Sequence, residues 1–252
     1  MKFSLEDMMT AAGSWLGLTD FTDASNRAVT WRAFLAEFAG TALLVFIGLA
    51  SCLGANSTHL GIAVSFGVAV ATVVAFTAHV SGGHVNPAVT ASMLVTGQIG
   101  LVKAMCYVAA QCVGAIVGAS IVHAIDPVKD GLGLTQPGSG VTSGNAVAVE
   151  LLVTFILVMT VHAVCDSNRE DHSRINAPAA IGLAVLCCHI GFIQFTGCSM
   201  NSARALGPAV ILNDFNEHWV YWVGPIAGGV LAGLIYKYIF KVGKNGVGSY
   251  DF

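Results

Sequence analysis

The sequence predicts an all-α membrane protein with six transmembrane helices, two re-entrant half-helices and an inverted internal repeat. Of its 252 residues, 55% are hydrophobic and only 10% are charged, against about 25% charged in an average soluble domain. Six apolar stretches each have about the 20 residues that a membrane-spanning helix needs. Two shorter apolar stretches stand at matching positions in the two halves of the chain. The composition therefore excludes a disordered chain, a small disulfide scaffold and an ordinary soluble enzyme.

The six long stretches are the candidate spans. They cover about residues 33–53, 60–80, 101–125, 146–165, 177–195 and 218–240. The shorter stretches, Val85–Gly100 and Met200–Leu212, are about half as long as a span. A helix of that length cannot cross the bilayer, so we expect each to enter and leave on the same side.

The basic residues predict the orientation. With six crossings, nine of the eleven Lys and Arg residues fall on one side: Lys2, Arg27, Arg32, Lys103, Arg169, Arg174, Lys237, Lys241 and Lys244. Lys129 falls on the other side, and Arg204 lies within the second short stretch. The positive-inside rule then makes both termini cytoplasmic. Asn56 begins an Asn-Ser-Thr sequon on the outer side, which makes it a possible glycosylation site.

The two halves of the chain match each other at fixed offsets. Glu37 precedes Asn86 by 49 residues, and Glu150 precedes Asn201 by 51. Further matches follow the same register, among them Gly67-x-Ala69 with Gly182-x-Ala184 and Ser81-Gly82 with Thr196-Gly197. Repeat one covers about 33–125 and repeat two about 146–240. Each copy holds three spans, an odd number, so the second copy is inverted in the membrane.

The inverted repeat predicts that the two half-helices meet at the middle of the bilayer. Each is about 15 Å long, so two end to end span the roughly 30 Å hydrocarbon layer. Their N-termini would lie at Asn86-Pro87-Ala88 and Asn201-Ser202-Ala203. Each N-terminus carries about half a positive charge, and the asparagines add amide donors. This arrangement favours passage of neutral solutes and opposes protons and cations.

These motifs resemble those of the aquaporins, the major intrinsic protein family, over about residues 33–240. The segments that carry the resemblance are Ala36–Phe38, Ser81–Thr90, Gly197–Arg204 and His218–Pro225. The resemblance implies a channel domain at 33–240 in a right-handed bundle, flanked by cytoplasmic segments 1–32 and 241–252. It also implies a homotetramer with one pore per protomer, which we expect in the plasma membrane. One departure is Ser202, which stands where the family usually has proline.

The resemblance also places a selectivity filter at Phe66, His189, Cys198 and Arg204. An aromatic ring, an imidazole and a guanidinium together predict a narrow, polar constriction. Glycerol-conducting members have a small residue at the histidine position and an aspartate after the arginine, where this chain has Ala205. The filter therefore resembles that of the water-selective branch. We expect Cys198, in the stretch that enters the second half-helix from outside, to be the site of mercurial block.

Glu37 and Glu150 allow two interpretations. Carboxylates inside a membrane often relay protons and could couple transport. Their symmetric placement favours a structural role, in which each accepts hydrogen bonds from the backbone of a half-helix loop.

The leading functional hypothesis is a passive water channel with water as permeant and no cofactor. The alternatives are a channel that also carries glycerol or other small neutral solutes, a secondary transporter, and a membrane scaffold that does not conduct. No nucleophile–base constellation, cofactor motif or metal-ligand spacing appears, so we do not expect an enzyme or a metal site. A formal net charge of −3 gives no basis for binding nucleic acid.

Overall fold

The computed structural model describes residues 13, 16–17, 24–54, 57–126, 131–169, 171 and 176–241. The described part contains helices and connecting loops and no β-strand. Its helices, in chain order, are α1 Ala24–Ala50, α2 His59–Ser81, α3 Pro87–Val95, α4 Leu101–Ile125, α5 Ser143–Cys165, α6 Ala177–Thr196, α7 Ser202–Leu212 and α8 Val220–Ile235. The end of α8 continues as a π-helical turn at Tyr236–Phe240.

Six of these helices are long and apolar enough to cross a membrane, as predicted. They are α1, α2, α4, α5, α6 and α8 with its π-helical turn. The predicted bounds agree within a few residues, except that α1 begins at Ala24, nine residues before the predicted start. The two half-helices are shorter than the apolar stretches that contain them. For instance, α3 ends at Val95 because Thr96 and Gly97 turn the chain toward α4.

The packing of the helices follows the inverted repeat. α1 packs on α4 as α5 packs on α8, and α7 docks on α4 as α3 docks on α8. α2 and α6, which occupy equivalent positions, cross each other at the centre. There a Cβ on Gly67 would come within 2.8 Å of the Gly182 carbonyl oxygen, and a Cβ on Gly182 would strike the Gly67 carbonyl. The matched glycines therefore allow the two backbones to touch.

Small residues also bring the half-helices close to the spans that hold them. A Cβ on Gly207 of α7 would lie 2.6 Å from the Ala115 carbonyl oxygen of α4. In the other repeat, a Cβ on Gly229 of α8 would lie 2.6 Å from the Ala88 carbonyl oxygen of α3. Such close contact compensates for the weak hydrophobic driving force between helices inside a bilayer.

α2 and α6 each end at a glycine with positive φ, where the chain turns into the half-helix loop. Gly82 ends α2 with a φ of 96°, and Gly197 ends α6 with a φ of 75°. Each donates its N–H to a carbonyl four residues back, at Ala78 and Ile193. A left-handed residue after the last helical turn is a position that glycine fills without steric cost. The matching glycines in the two halves thus place both loops at equivalent points.

Candidate functional site: a cavity between two facing half-helices

Glu37 of α1 holds the loop that leads into α3. One carboxylate oxygen accepts hydrogen bonds from the Ser81 hydroxyl at 2.6 Å and the His84 N–H at 2.9 Å. The other accepts from the Val85 N–H at 2.6 Å and the Gln111 side-chain amide at 2.8 Å. A buried carboxylate is costly unless it is fully hydrogen-bonded. These four donors meet that requirement and fix the path of the loop.

Glu150 of α5 holds the second loop in the same way. Its Oε1 accepts from the Thr196 hydroxyl at 2.7 Å and the Ser199 N–H at 2.8 Å, and its Oε2 accepts from the Met200 N–H at 2.8 Å. Both glutamates are fully buried. The structure therefore places them where a structural role needs them, as acceptors for backbone donors of the half-helix loops.

The residue before each asparagine adopts a strained backbone. Val85 has a φ of 43° and Met200 a φ of 54°. Positive φ is uncommon for residues other than glycine, and a β-branched valine there is a genuine outlier. Such strain persists only where the surroundings over-determine it, and it is frequent at functional sites. Here the N–H of each strained residue donates to a glutamate carboxylate, and these hydrogen bonds offset the strain.

The two asparagines join the half-helices across the midplane. The Asn86 side-chain amide donates to the Met200 carbonyl at 2.7 Å, and the Asn201 amide donates to the Val85 carbonyl at 2.8 Å. Each asparagine also caps its own half-helix, because its side-chain oxygen accepts the N–H of Ala88 or of Ala203. An amide nitrogen carries two hydrogens. One is used in this clamp, and the other remains for the cavity, which both asparagines line.

Ser202 occupies the same first helical position as Pro87. α7 begins at Ser202 and α3 begins at Pro87, each directly after its capping asparagine. The Ser202 hydroxyl is buried and has no hydrogen-bond partner among the described residues. The helix forms nevertheless, because the Asn201 oxygen accepts the N–H groups of both Ala203 and Arg204.

A cavity of about 110 Å³ runs past the facing ends of the half-helices. A cavity needs only about 10–15 Å³ of such space to hold a water, so this one is large enough to be hydrated. Much of the wall is apolar, with Leu44, Val70, Val74, Leu157, Val161, Ile181 and Val185 among its lining residues. The loops Gly82–Asn86 and Ser199–Asn201 supply polar groups along the same length. An apolar wall beside a few fixed polar groups suits a small polar solute that must not bind tightly.

Three of the four predicted filter residues meet at one end of this cavity. The rings of Phe66 and His189 stack with centroids 4.8 Å apart. The Arg204 guanidinium carbon lies 4.9 Å from the Phe66 ring centroid. All three side chains line the cavity and are at least 96% buried. Two rings and one positive charge thus lie together on the cavity wall, and we call this cluster of Phe66, His189 and Arg204 the constriction, after the filter that the sequence predicts there.

Two polar atoms of this constriction are left for a solute. Nε2 of His189 and Nε of Arg204 are buried and have no hydrogen-bond partner among the described residues. The other ring nitrogen of His189 lies 3.0 Å from the Val185 carbonyl oxygen, which assigns its hydrogen to Nδ1 and leaves Nε2 as an acceptor. The His189 ring and the Arg204 guanidinium, which carry this acceptor and this donor, both lie against the Phe66 ring. A buried polar atom without a partner is costly, and water in the cavity would give each of them one.

Cys198, the fourth predicted filter residue, is placed differently. Its side chain is fully buried, and the described residues that line the cavity do not include it. It adopts a φ of 49° and donates its N–H to the Thr196 hydroxyl. The next residue, Ser199, does line the cavity. Asn56, the possible glycosylation site, lies outside the described residues.

The structure adds residues that the sequence reasoning missed. The Gly133 carbonyl, in the loop between α4 and α5, accepts a 2.8 Å hydrogen bond from Nη1 of Arg204 and so holds the guanidinium. A backbone carbonyl leaves no mark in the sequence. Tyr107 and Tyr221 donate to the last carbonyls of α2 and α6, at Ser81 and Thr196. Their near-equal offsets from the two asparagines, 21 and 20 residues, could have revealed them.

Comparisons with known proteins agree with this geometry. Residues 24–236 match the model of the major intrinsic protein family. The chain is 44% identical over 219 residues to human aquaporin-4, with 83% of this chain and 68% of the relative covered. It is 46% identical over 215 residues to human aquaporin-5, with 82% and 80% covered. A solved aquaglyceroporin from Plasmodium falciparum is similar in structure, with a TM-score of 0.76 and 25% identity over 84% of this chain and 97% of that one. The chain therefore belongs to the major intrinsic protein family.

Proposed function

We propose that the chain is a water-selective aquaporin, which conducts water passively and excludes protons and ions. The observation that carries this proposal is the constriction beside the Phe66 ring, where two buried atoms, His189 Nε2 and Arg204 Nε, have no hydrogen-bond partner among the described residues. They offer one acceptor and one donor, the two hydrogen-bonding roles of a water molecule. Its similarity to aquaporin-4 and aquaporin-5 supports the same function.

The midplane geometry supports the exclusion of protons. Two helix N-termini face each other there, and each carries about half a positive charge. Asn86 and Asn201 each retain one amide hydrogen that can donate to the oxygen of a passing water. A water held through its oxygen by both amides has no acceptor left for a proton from its neighbours. Arg204 adds a full positive charge at the constriction, which opposes cations.

The alternative is a channel that also carries glycerol. Its support is the structural similarity to the Plasmodium falciparum aquaglyceroporin. Against it, the two stacked rings and the guanidinium occupy the constriction, and Ala205 follows the arginine where glycerol channels carry aspartate. The more similar relatives also bear the aquaporin name. Water selectivity is therefore the better-supported proposal.

The finer features of the proposal rest on the family and the charge pattern. We propose a homotetramer with one pore per protomer, in the plasma membrane, with both termini in the cytoplasm. The charge asymmetry of the sequence supports the orientation. Large apolar side chains exposed along the spans, such as Leu35, Val68 and Leu152, suit contact with lipid or with neighbouring protomers. No enzymatic role is proposed.

The test is stopped-flow light scattering on vesicles that contain the purified chain. We expect osmotic water flow well above that of protein-free vesicles, and glycerol entry close to the protein-free rate. The matched control is the chain with Arg204→Ala, which removes the cation of the constriction and keeps the half-helices. Water flow no faster than in protein-free vesicles, from folded and correctly inserted protein, would overturn the proposal.

A further inference from the structure

A chain of buried polar side chains lies behind the first half-helix and does not line the main cavity. The Ser92 hydroxyl of α3 lies 2.8 Å from Nε2 of His162 on α5. The His162 ring stacks on Tyr236 with centroids 5.6 Å apart, and the Tyr236 hydroxyl donates to Asp166 at 3.1 Å. All four side chains are more than 90% buried. The proposed water path uses none of them.

At the matching positions, the second half-helix, α7, docks without such polar groups. Ser92 is six residues after Asn86, and the residue six after Asn201 is Gly207. His162 is twelve after Glu150, and the residue twelve after Glu37 is Leu49. Gly207 packs against Ala115, and Leu49 lies in an apolar cluster with Val45, Ala115, Ala119, Val122, Leu132 and Ala203. An apolar interface is thus sufficient to dock a half-helix, so the polar chain is specific to the docking of α3, the first half-helix.

Two neighbours of His162 determine its bond to Ser92. Gln98 selects the imidazole tautomer, and Gly233 leaves space for the two side chains to meet. The Gln98 side-chain nitrogen, a donor, lies 3.4 Å from Nδ1 of His162. This assigns the imidazole hydrogen to Nε2, which then donates to the Ser92 hydroxyl. Gly233 of α8 faces the contact, because a Cβ there would strike the Ser92 hydroxyl and come within 3.1 Å of His162 Nε2. The glycine therefore leaves the slot in which the hydrogen bond forms.

The hydrogen bond acts on a short, rigid helix with the pore asparagine at its other end. Ser92 lies about 9 Å along α3 from Asn86, at 1.5 Å per residue. Lys237 holds the same end of α3, since its ammonium donates to the Thr96 carbonyl at 3.1 Å. A shift of α3 along its axis would move the Asn86 amide relative to the Met200 carbonyl that it binds. The contact with His162 is therefore placed where it would oppose such a shift.

We propose that His162 is a positioning residue of the channel, which fixes the register of α3 through Ser92 and thereby sets the Asn86 amide in the water path. It contacts no permeant. The proposal rests on the proposed water conductance and names a residue that the conductance needs. Removing either partner alone leaves a buried polar group without its bond, whereas replacing both by apolar groups can be nearly neutral.

The test measures water permeability per channel in vesicles, with channel number fixed by quantitative immunoblot, for His162→Phe, Ser92→Ala, the double variant and His162→Gln. His162→Phe keeps a ring for Tyr236 and loses the bond; His162→Gln places an amide near the position of Nε2. We expect each of His162→Phe and Ser92→Ala to lower permeability about three- to tenfold, a barrier change of about 0.7–1.4 kcal/mol. His162→Gln should recover most of the permeability. The double variant can regain stability, because it leaves no buried polar group without its bond, but it lacks the hydrogen bond that positions α3 and should stay impaired.

The outcomes separate this proposal from the proposed function. If the unmodified chain conducts no water, the proposed function fails. If it conducts water and His162→Phe conducts equally well per channel, only the positioning role fails, even where the variant melts at a lower temperature. A His162→Gln variant as impaired as His162→Phe would also overturn it, because the hydrogen bond would then not be the property that matters.

Discussion

The side chains of Asn86 and Asn201 each donate to the backbone of the other repeat, at the carbonyls of Met200 and Val85. Both accepting carbonyls belong to residues with positive φ, and the N–H groups of the same two residues are accepted by Glu37 and Glu150. Each carboxylate thus acts on the opposite asparagine through one strained residue. The two loops form a single hydrogen-bonded unit across the midplane. Substitution of one glutamate should therefore destabilise the N-termini of both half-helices.

Glu37→Gln should destabilise the protein more than its small change in size suggests. An amide nitrogen would replace one of two oxygens that together accept four hydrogen bonds, and it would face a backbone N–H. A buried donor left without an acceptor costs about 1–3 kcal/mol. We expect the melting temperature in detergent to fall by several degrees. Asp171→Asn, at an exposed ion pair with Arg169, is the matched control and should change it little. An unchanged melting temperature for Glu37→Gln would contradict the role of Glu37 as the acceptor that holds the half-helix loop.

Much of this fold can be predicted from the sequence, because the bilayer imposes its thickness on the helices. The six spans and both half-helix starts follow from apolar length and from the repeated Asn motif. The inverted packing follows from the odd number of spans in each copy. The matched glycines at Gly67 and Gly182 even mark the central crossing. In these elements the apolar length of each segment and the repeated motifs agree with the thickness of the bilayer. The structure confirms the predicted fold class.

The contacts of the site that backbone atoms make could not be predicted from the sequence. The Gly133 carbonyl that holds Arg204 has no signature, since any residue carries a carbonyl. Fixed offsets place a residue on a helix face and say little about loops. Cys198 was therefore expected in the constriction, yet the left-handed backbone there buries its side chain. His162 attracted no notice because it has no counterpart in the first repeat.

Widening the constriction should admit glycerol. Phe66→Ala together with His189→Gly removes both stacked rings and leaves Arg204, which Gly133 continues to hold. We expect glycerol entry into vesicles to rise about tenfold or more, as a barrier lower by about 1.4 kcal/mol would give, with water flow maintained. Val68→Ala, at an exposed position on α2, is the control. An unmodified chain that already carries glycerol as fast as the double variant would refute the filter assignment.

Ser202 should not make the channel leak protons. The facing helix N-termini and both asparagine amides are present without a proline, and α7 begins at the equivalent position. A pH-sensitive dye inside vesicles should report proton flux at the protein-free level for the unmodified chain and for Ser202→Pro. The substitution should also raise the melting temperature slightly, because it removes a buried hydroxyl that has no partner among the described residues. Proton flux that falls on introducing the proline would show that the serine motif leaks.

Both termini should be cytoplasmic. The nine basic residues on one side and the single Lys129 on the other give the bias that sets membrane orientation. An epitope tag placed after Phe252 should be labelled by antibody only after cells are permeabilised. The same tag inserted in the loop between α4 and α5, after Gly140, should be labelled in intact cells. The reverse pattern would invert the topology and would place the Arg204 constriction on the cytoplasmic side.

Mercurials added from outside should block water flow through Cys198, with a slow onset. The thiol is fully buried, so the reagent must wait for the loop to open before it can react. Once attached, mercury has no room behind the loop and should displace Ser199 into the cavity that this residue lines. A reducing agent should restore the flow. Cys198→Ser should conduct normally and resist the block.

Cys165 is the necessary comparison for that experiment. It is exposed, and it lines both the main cavity and a second cavity at the C-terminal end of α5, beside Lys103 and Tyr107; this is the end that the predicted topology makes cytoplasmic. A reagent inside the vesicle should therefore react there quickly, whereas a reagent confined to the outside must cross the constriction first. We expect Cys165→Ser to leave external block intact and Cys198→Ser to abolish it. External block that survives Cys198→Ser and disappears in Cys165→Ser would show that Cys165, and not Cys198, is the blocking site.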